Sequence, residues 1–230
     1  MYKHIFLDLD DTLWDFRANA KISLETAFDN LGLNAHFESF EHYFQIYLKR
    51  NIELWDLYGK GEITKNELQT ERFGYPLAQV GIESQELGKK MGEMYLELLP
   101  EKVRLIPHAR ELLDYLAKKY TLTIISNGFV EVQHRKLKNS DIAHYFTHVV
   151  LSDDVKVLKP DRKIFDYALE LNNAKANEAI MIGDLFQTDI LGAQNAGIDQ
   201  IFFNRHKKGL KENETATYVV DSLKEIFEIL

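Results

Sequence analysis

The sequence predicts an α/β fold: a Rossmann-like open parallel sheet core with an inserted all-helical cap domain. Three observations lead there. Short apolar runs without polar alternation occur at the N-terminus and return through the second half, as expected of strands buried on both faces. Amphipathic helical patterns separate the later runs, which makes neighbouring strands parallel. Over residues 15–98 no strand pattern occurs, and the apolar positions follow helical spacing instead.

Residues 4–9, dense in Ile, Phe and Leu, form the first expected strand. Four similar runs follow at residues 122–125, 148–151, 179–182 and 200–203, and a weak sixth at residues 218–220 precedes a terminal helix. Helical patterns cover residues 107–119, with Pro107 in the first turn, and residues 161–171 and 187–196. In the insertion, Phe40, Phe44, Tyr47, Leu54 and Tyr58 share a face of one helix that stops at Gly59-Lys60-Gly61. Thr64-Lys65-Asn66-Glu67 reads as a capping box that starts a second, and a third covers residues 84–98. The expected domains are a catalytic core of residues 1–14 and 99–230 and a helical cap of residues 15–98. His206-Lys207-Lys208-Gly209 reads as an exposed basic loop.

Composition narrows the chemistry. Lys plus Arg number 28 against 36 Asp plus Glu, a formal charge of -8, which repels a polyanion; a nucleic-acid polymer is not an expected partner. With no Cys, thiolate nucleophiles, disulfides and iron-sulfur clusters are excluded, and the site must use oxygen and nitrogen. Asp8 comes too early for the apolar stretch of a signal peptide, and no run approaches the roughly 20 apolar residues of a membrane span. The expectation is a cytoplasmic protein with no membrane partner.

Four groups of polar residues stand at or just beyond the carboxyl ends of expected parallel strands, where open sheets assemble their sites. The first strand ends in Asp8-Leu9-Asp10-Asp11-Thr12, whose carboxylates can converge on one ligand once the chain turns. The second ends in Ser126-Asn127-Gly128, which offers a hydroxyl, backbone N–H groups and a residue free to take positive φ, the parts of an oxyanion seat. Lys159-Pro160 follows the third strand, and Gly183-Asp184 with Asp189 follows the fourth. Taken singly, each reads equally well as a turn, a helix cap or a surface lysine. His144 and His148, four apart, have no third ligand near them in the sequence and are not an expected metal site.

In these four ordered groups the chain resembles the haloacid dehalogenase-like hydrolases, and the resemblance spans the whole chain, including a helical cap inserted after the first motif. The stretch from Trp55 to Thr64 and the stretch from Asp189 to Gly197 are similar to the bacterial pyrimidine 5'-nucleotidase subgroup. The resemblance implies a Mg²⁺-dependent phosphatase acting on a small phosphorylated metabolite, with nucleoside monophosphates as the expected substrates. Asp8 would be the nucleophile, giving an aspartyl-phosphate, and Asp10 the general acid and base. Ser126 and Lys159 would hold phosphoryl oxygens, with Thr12 and Asn127 as supporting contacts. Asp8, the Asp10 carbonyl and Asp184 would ligate the metal, with Asp189 beside them. Trp55 and its neighbour Tyr58 would line the substrate pocket. Leu185 departs from the family, where a small polar residue is common, and removes one side-chain hydrogen bond behind the metal.

Other readings remain in play. A sugar-phosphate or phosphoglycolate-type phosphatase, or a phosphomutase, shares the same motifs. A phospho-acceptor signalling domain also places acidic residues, a hydroxyl and a Lys around Mg²⁺, but it carries neither the long helical insertion nor a carboxylate equivalent to Asp10. A dehalogenase would lack the Asp10 carboxylate as well.

Overall fold

The computed structural model describes residues 1–207 and 209–230. Lys208, part of the expected basic loop, lies outside the described residues. Six parallel strands make one sheet: β1 (His4–Leu7), β2 (Thr121–Ser126), β3 (His148–Leu151), β4 (Ala179–Gly183), β5 (Asp199–Phe203) and β6 (Tyr218–Val220). Their order is β3-β2-β1-β4-β5-β6, so the chain builds outward from β1 to one edge and then returns to its other side. That reversal opens a crevice beyond the carboxyl ends of β1 and β4, the place where open parallel sheets bind ligands.

The chain divides into two compact units, Met1–Phe16 with Val103–Leu230, and Arg17–Lys102. Sequence patterning puts the breaks after residues 14 and 98. The difference has a local cause: the two connecting segments pair with each other antiparallel. Ile106 N–H donates to the Leu13 carbonyl at 2.8 Å, Asp15 N–H donates to the Arg104 carbonyl at 3.0 Å, and Trp14 pairs with Leu105 between them.

The helical unit contains α1 (Phe16–Asn30, its first residue in the other unit), α2 (Phe40–Gly59), α3 (Lys65–Gln79) and α4 (Gln85–Leu98). Each later start is capped: Ser39, Thr64 and Ser84 accept from the third following N–H, and at Thr64, where the sequence predicts a capping box, the Glu67 carboxylate accepts from Thr64 N–H at 2.7 Å. Inside, rings from all four helices make a continuous contact, Phe28 to Tyr43 to Tyr47 to Phe73 to Tyr95, with centroids 5.3 to 6.2 Å apart. Tyr43 and Tyr47 are therefore core residues.

In the sheet unit the remaining helices are α5 (Ala109–Leu116), α6 (Val130–Asn139), the single turn α7 (Ser152–Val155), α8 (Arg162–Leu171) and α9 (Leu191–Asn195). A π-helical turn, Phe186–Ile190, precedes α9. Helix α6 has no counterpart among the expected elements. Its sequence VEVQHRKLKN offers only Val130, Val132 and Leu137 as apolar residues, too few for a clear stripe. Helix α8 buries Ile164, Phe165, Ala168 and Leu169 against Phe6, Ile125, Val150 and Met181 of the sheet, with Ala193 of α9 in the same cluster. This packing covers one face of four adjacent strands.

Phe165 is fully buried in that cluster, whereas Tyr167 on the same helix is 43% exposed. Phe165→Ala is expected to lower stability by about 3–5 kcal/mol, and Tyr167→Ala by less than about 0.5 kcal/mol. Urea unfolding followed by circular dichroism measures both.

Candidate active site

Strand pairing builds the site before any side chain is considered. His4 to Leu7 of β1 align with Ala179 to Ile182 of β4, and Asp8 N–H extends the ladder by donating to the Ile182 carbonyl at 2.9 Å. Asp8 is thereby set beside Gly183-Asp184. After Asp8 the chain turns tightly, with Leu13 and Trp14 N–H both donating to the Leu9 carbonyl. Asp11 takes the left-handed conformation at φ 61°, which Asp tolerates better than most residues.

The Lys159 ammonium sits at the centre. All three of its hydrogens have acceptors: Asp8 Oδ1 at 2.6 Å, Asp189 Oδ1 at 2.7 Å and the Ile125 carbonyl at 2.8 Å. Its side chain is 2% exposed. Burial works against the charge, but Asp189 and Asp8 overcome it and hold the Lys159 ammonium above the usual lysine range. Asn127 clamps the backbone of the same residue, accepting from Lys159 N–H at 2.8 Å and donating to its carbonyl at 3.0 Å. The Lys159-Pro160 bond is cis.

Asp8, Asp184 and Asp189 each bring a carboxylate oxygen within 4.8 Å of the others, and all three are buried. Thr12 Oγ1 donates to Asp184 Oδ1 at 3.2 Å, and Leu185 N–H donates to Asp189 Oδ2 at 3.0 Å. The Leu185 side chain is exposed, and only its backbone reaches Asp189. Gly183 is required here, since a Cβ would overlap the Asp189 carboxyl group. Burial, then Asp189, Asp8 and Asp11, push the Asp184 carboxyl up to about 8. Burial also raises Asp8 well above the usual carboxylate range, with Lys159 opposing and Asp189 reinforcing the shift.

With all three carboxylates ionised, one ammonium would leave two negative charges uncompensated among buried oxygen donors. A divalent cation that prefers oxygen ligands fits that deficit in charge and in donor type.

The hydroxyl of Ser126, 2% exposed, accepts from Gly128 N–H at 3.1 Å and from Gln133 Nε2 at 2.7 Å. Both contacts use its lone pairs, so its own O–H is left to donate. Asp10 lies on the same side: its carboxylate accepts from Gln133 Nε2 at 3.0 Å and from Lys136 Nζ at 2.7 and 3.0 Å.

The core residues expected from the sequence, Asp8, Asp10, Thr12, Ser126, Asn127, Lys159, Asp184 and Asp189, thus gather at the ends of β1, β2 and β4. Thr12 and Asn127 are engaged with Asp184 and with the Lys159 backbone. Trp55 and Tyr58 belong to the helical unit, where both are half-buried on α2 and meet edge to face at 5.8 Å. Gln133 and Lys136 were not anticipated. The available signal was their i, i+3 spacing just beyond Ser126-Asn127-Gly128, masked because α6 was not expected.

A family model described as haloacid dehalogenase-like hydrolase matches residues 5–203. The chain is 33% identical to the pyrimidine 5'-nucleotidase YjjG of Escherichia coli over 98% of its own length and 96% of that protein's. It is also 32% identical to a glyceraldehyde 3-phosphate phosphatase of Pyrococcus furiosus, over 99% and 92% of the two chains. Among solved structures, the magnesium-bound HAD-hydrolase YfnB of Bacillus subtilis superposes with a TM-score of 0.89 at 28% identity, covering 100% of this chain and 98% of that one. Motif order, strand topology and the convergence of Asp8, Lys159 and Asp184 on one crevice agree with these likenesses, and the chain belongs to the haloacid dehalogenase-like hydrolases.

Proposed function

We propose that this enzyme is a Mg²⁺-dependent phosphatase that hydrolyses small phosphate monoesters through an aspartyl-phosphate on Asp8, with nucleoside 5'-monophosphates as substrates. The observation that carries the reading is the pair of carboxylates at the end of β1: Asp8 is bound to a buried ammonium, and Asp10, two residues on, is turned to the Ser126 side. A phosphate monoester hydrolyses extremely slowly in water, so the site must align a nucleophile, offset charge on the phosphoryl oxygens and protonate the departing alkoxide. The Asp8 carboxylate forms its bond to phosphorus as the ester P–O bond breaks, and the proton of Asp10 passes to the leaving oxygen. Water then adds to phosphorus and gives a proton to Asp10, the bond to Asp8 breaks, and inorganic phosphate leaves. Ser126 O–H donates to a phosphoryl oxygen, and Lys159, held in place by Asp189, offsets phosphoryl charge and exchanges its bond to Asp8 for one to a phosphoryl oxygen as Asp8 attacks.

Asp8, the Asp10 carbonyl and Asp184 are the groups that would hold Mg²⁺. When bound, the ion supplies positive charge that lowers repulsion between the Asp8 carboxylate and an anionic phosphoryl group. The Asp10 carboxylate separates this reading from dehalogenation, which needs no proton donor for a departing halide.

Substrate class rests on the nucleotidase relatives, and Trp55, with Tyr58 beside it, is the assigned aromatic contact for the base. The glyceraldehyde 3-phosphate phosphatase relatives favour a second reading, a triose-phosphate substrate. A phosphate-release screen with Mg²⁺ that includes pyrimidine and purine nucleoside 5'-monophosphates and glyceraldehyde 3-phosphate decides between them. A preference for the triose phosphate would replace the nucleotidase reading, and no release from any monoester would remove the phosphatase reading.

Asp8→Asn is expected to lower kcat by more than about a hundredfold while leaving the circular dichroism spectrum unchanged. Burst-phase quenching should trap a phosphoenzyme in the wild type and none in the variant. Trp55→Ala should reduce kcat/KM for a nucleoside monophosphate by roughly 5- to 150-fold, the effect of losing one stacked base, and leave acetyl phosphate nearly unaffected.

Mg²⁺ affinity should depend on pH with a definite sign. Because Asp184 is pushed up to about 8, it holds a proton below that pH that a cation must displace. Affinity should therefore fall as pH drops below 8, by about tenfold per unit for the proton on Asp184, and more steeply below about 7, where Asp8 takes up a second. Calorimetry at pH 7 in buffers of different ionisation enthalpy should register proton release.

A further inference from the structure

Helix α6 carries two polar residues that none of the site motifs includes. Lys136 is 2% exposed and Gln133 fully buried, and their i, i+3 spacing places them on one face of the helix. Lys136 Nζ reaches both oxygens of Asp10, at 2.7 and 3.0 Å. Gln133 Nε2 bridges Asp10 Oδ2 and Ser126 Oγ, at 3.0 and 2.7 Å. The Asp10 side chain is 26% exposed, so without these partners it would be a solvated carboxylate free to change rotamer.

The ammonium is itself held. It lies 4.5 Å from the centroid of the Trp14 ring and 5.1 Å from that of Phe16, a cation between aromatic faces. The Trp14 indole N–H donates to Ser140 Oγ at 3.1 Å, and Arg110 donates to the carbonyls of Ser140 and Asp141 at 2.7 and 2.9 Å. The C-terminal end of α6, the Trp14 ring and the catalytic loop are thus tied into one unit. At the other end, Gly128 leaves the space that Gln133 occupies, since a Cβ there would overlap the Gln133 amide.

A buried lysine and a buried glutamine are costly to place, and apolar residues of similar size would pack α6 at least as well. What the polar pair adds is a fixed direction for one carboxylate. We infer that Lys136 and Gln133 are positioning residues that hold the Asp10 carboxylate beside Ser126, at the side of the phosphoryl group where the leaving oxygen departs. Both bind the Asp10 carboxylate and not the substrate. They act through Asp10 by removing its rotational freedom, which is the part of acid–base catalysis that geometry supplies.

The inference rests on the phosphatase reading, and one set of assays separates the two. Wild type, Lys136→Met and Lys136→Gln are compared on an alkyl phosphate, whose leaving alkoxide needs a proton, and on p-nitrophenyl phosphate, whose leaving phenolate does not. With Mg²⁺ saturating, kcat/KM of Lys136→Met on the alkyl phosphate should fall by about tenfold or more, and on the aryl phosphate by less than about threefold. KM for the alkyl phosphate should stay within about twofold, so the loss appears in kcat. Lys136→Gln keeps a polar head group for folding but is too short to span both oxygens, and should show the same selectivity if Lys136→Met does not fold. Equal losses on the two substrates, or losses matched by a rise in KM, would make Lys136 a structural residue or a phosphate-binding one and overturn the inference while the phosphatase reading stands. A wild type inactive on both esters would overturn the reading and this inference with it.

Discussion

The rest of the site depends on one buried ammonium. Lys159 directs its three hydrogens to Asp8, Asp189 and the Ile125 carbonyl, and so ties the ends of β1 and β2 to the π-helical turn after β4. Burial alone would strip a lysine at that depth of its charge; Asp189 and Asp8 keep it an ammonium. Asn127 and Gly183 serve this arrangement indirectly, one by gripping the Lys159 peptide, the other by leaving room for Asp189.

Pairing of the same kind sets the charge of the crevice. Acidic residues outnumber basic ones in the chain, yet each carboxylate at and around Asp8 meets a specific cation or donor. Asp8 and Asp189 share Lys159, Asp10 has Lys136, and Asp184 has the neutral Thr12 hydroxyl. Burial, with only a neutral hydroxyl as partner and Asp189 and Asp8 close by, pushes the Asp184 carboxyl toward its neutral form.

Much of this architecture was legible in the sequence, and the gaps have physical causes. The strands at His148–Leu151 and Tyr218–Val220 stand where the apolar runs place them, and β2, β4 and β5 extend those runs by a residue or two. Buried parallel strands are simple to read because both faces are apolar. Capping residues such as Thr64 are equally plain, since their partner lies three residues away. Helix α6 was invisible because its face toward the catalytic loop is polar: Gln133 and Lys136 occupy positions where periodicity looks for leucine. The family resemblance pointed to Thr12 and Asn127 without revealing their bonds. Whether a side chain turns to a ligand or to a neighbouring carboxylate is decided by contacts across more than 30 positions of chain, and no local pattern encodes them.

The antiparallel pairing of the two connecting segments, Leu13 to Asp15 against Arg104 to Ile106, has a consequence for how such a chain can change over generations. The helical unit leaves and re-enters the sheet unit through neighbouring hydrogen-bonded residues, so from the side of the sheet it is a closed loop with a fixed mouth. Lengthening, shortening or replacing the loop does not alter the gap to be bridged, and the entropy of closing it rises only slowly with its length. Insertions of this kind are tolerated where the ends meet. The helical unit can then be exchanged as a cassette, by recombination between the two paired segments, while Asp8, Lys159 and Asp184 of the sheet unit keep their places.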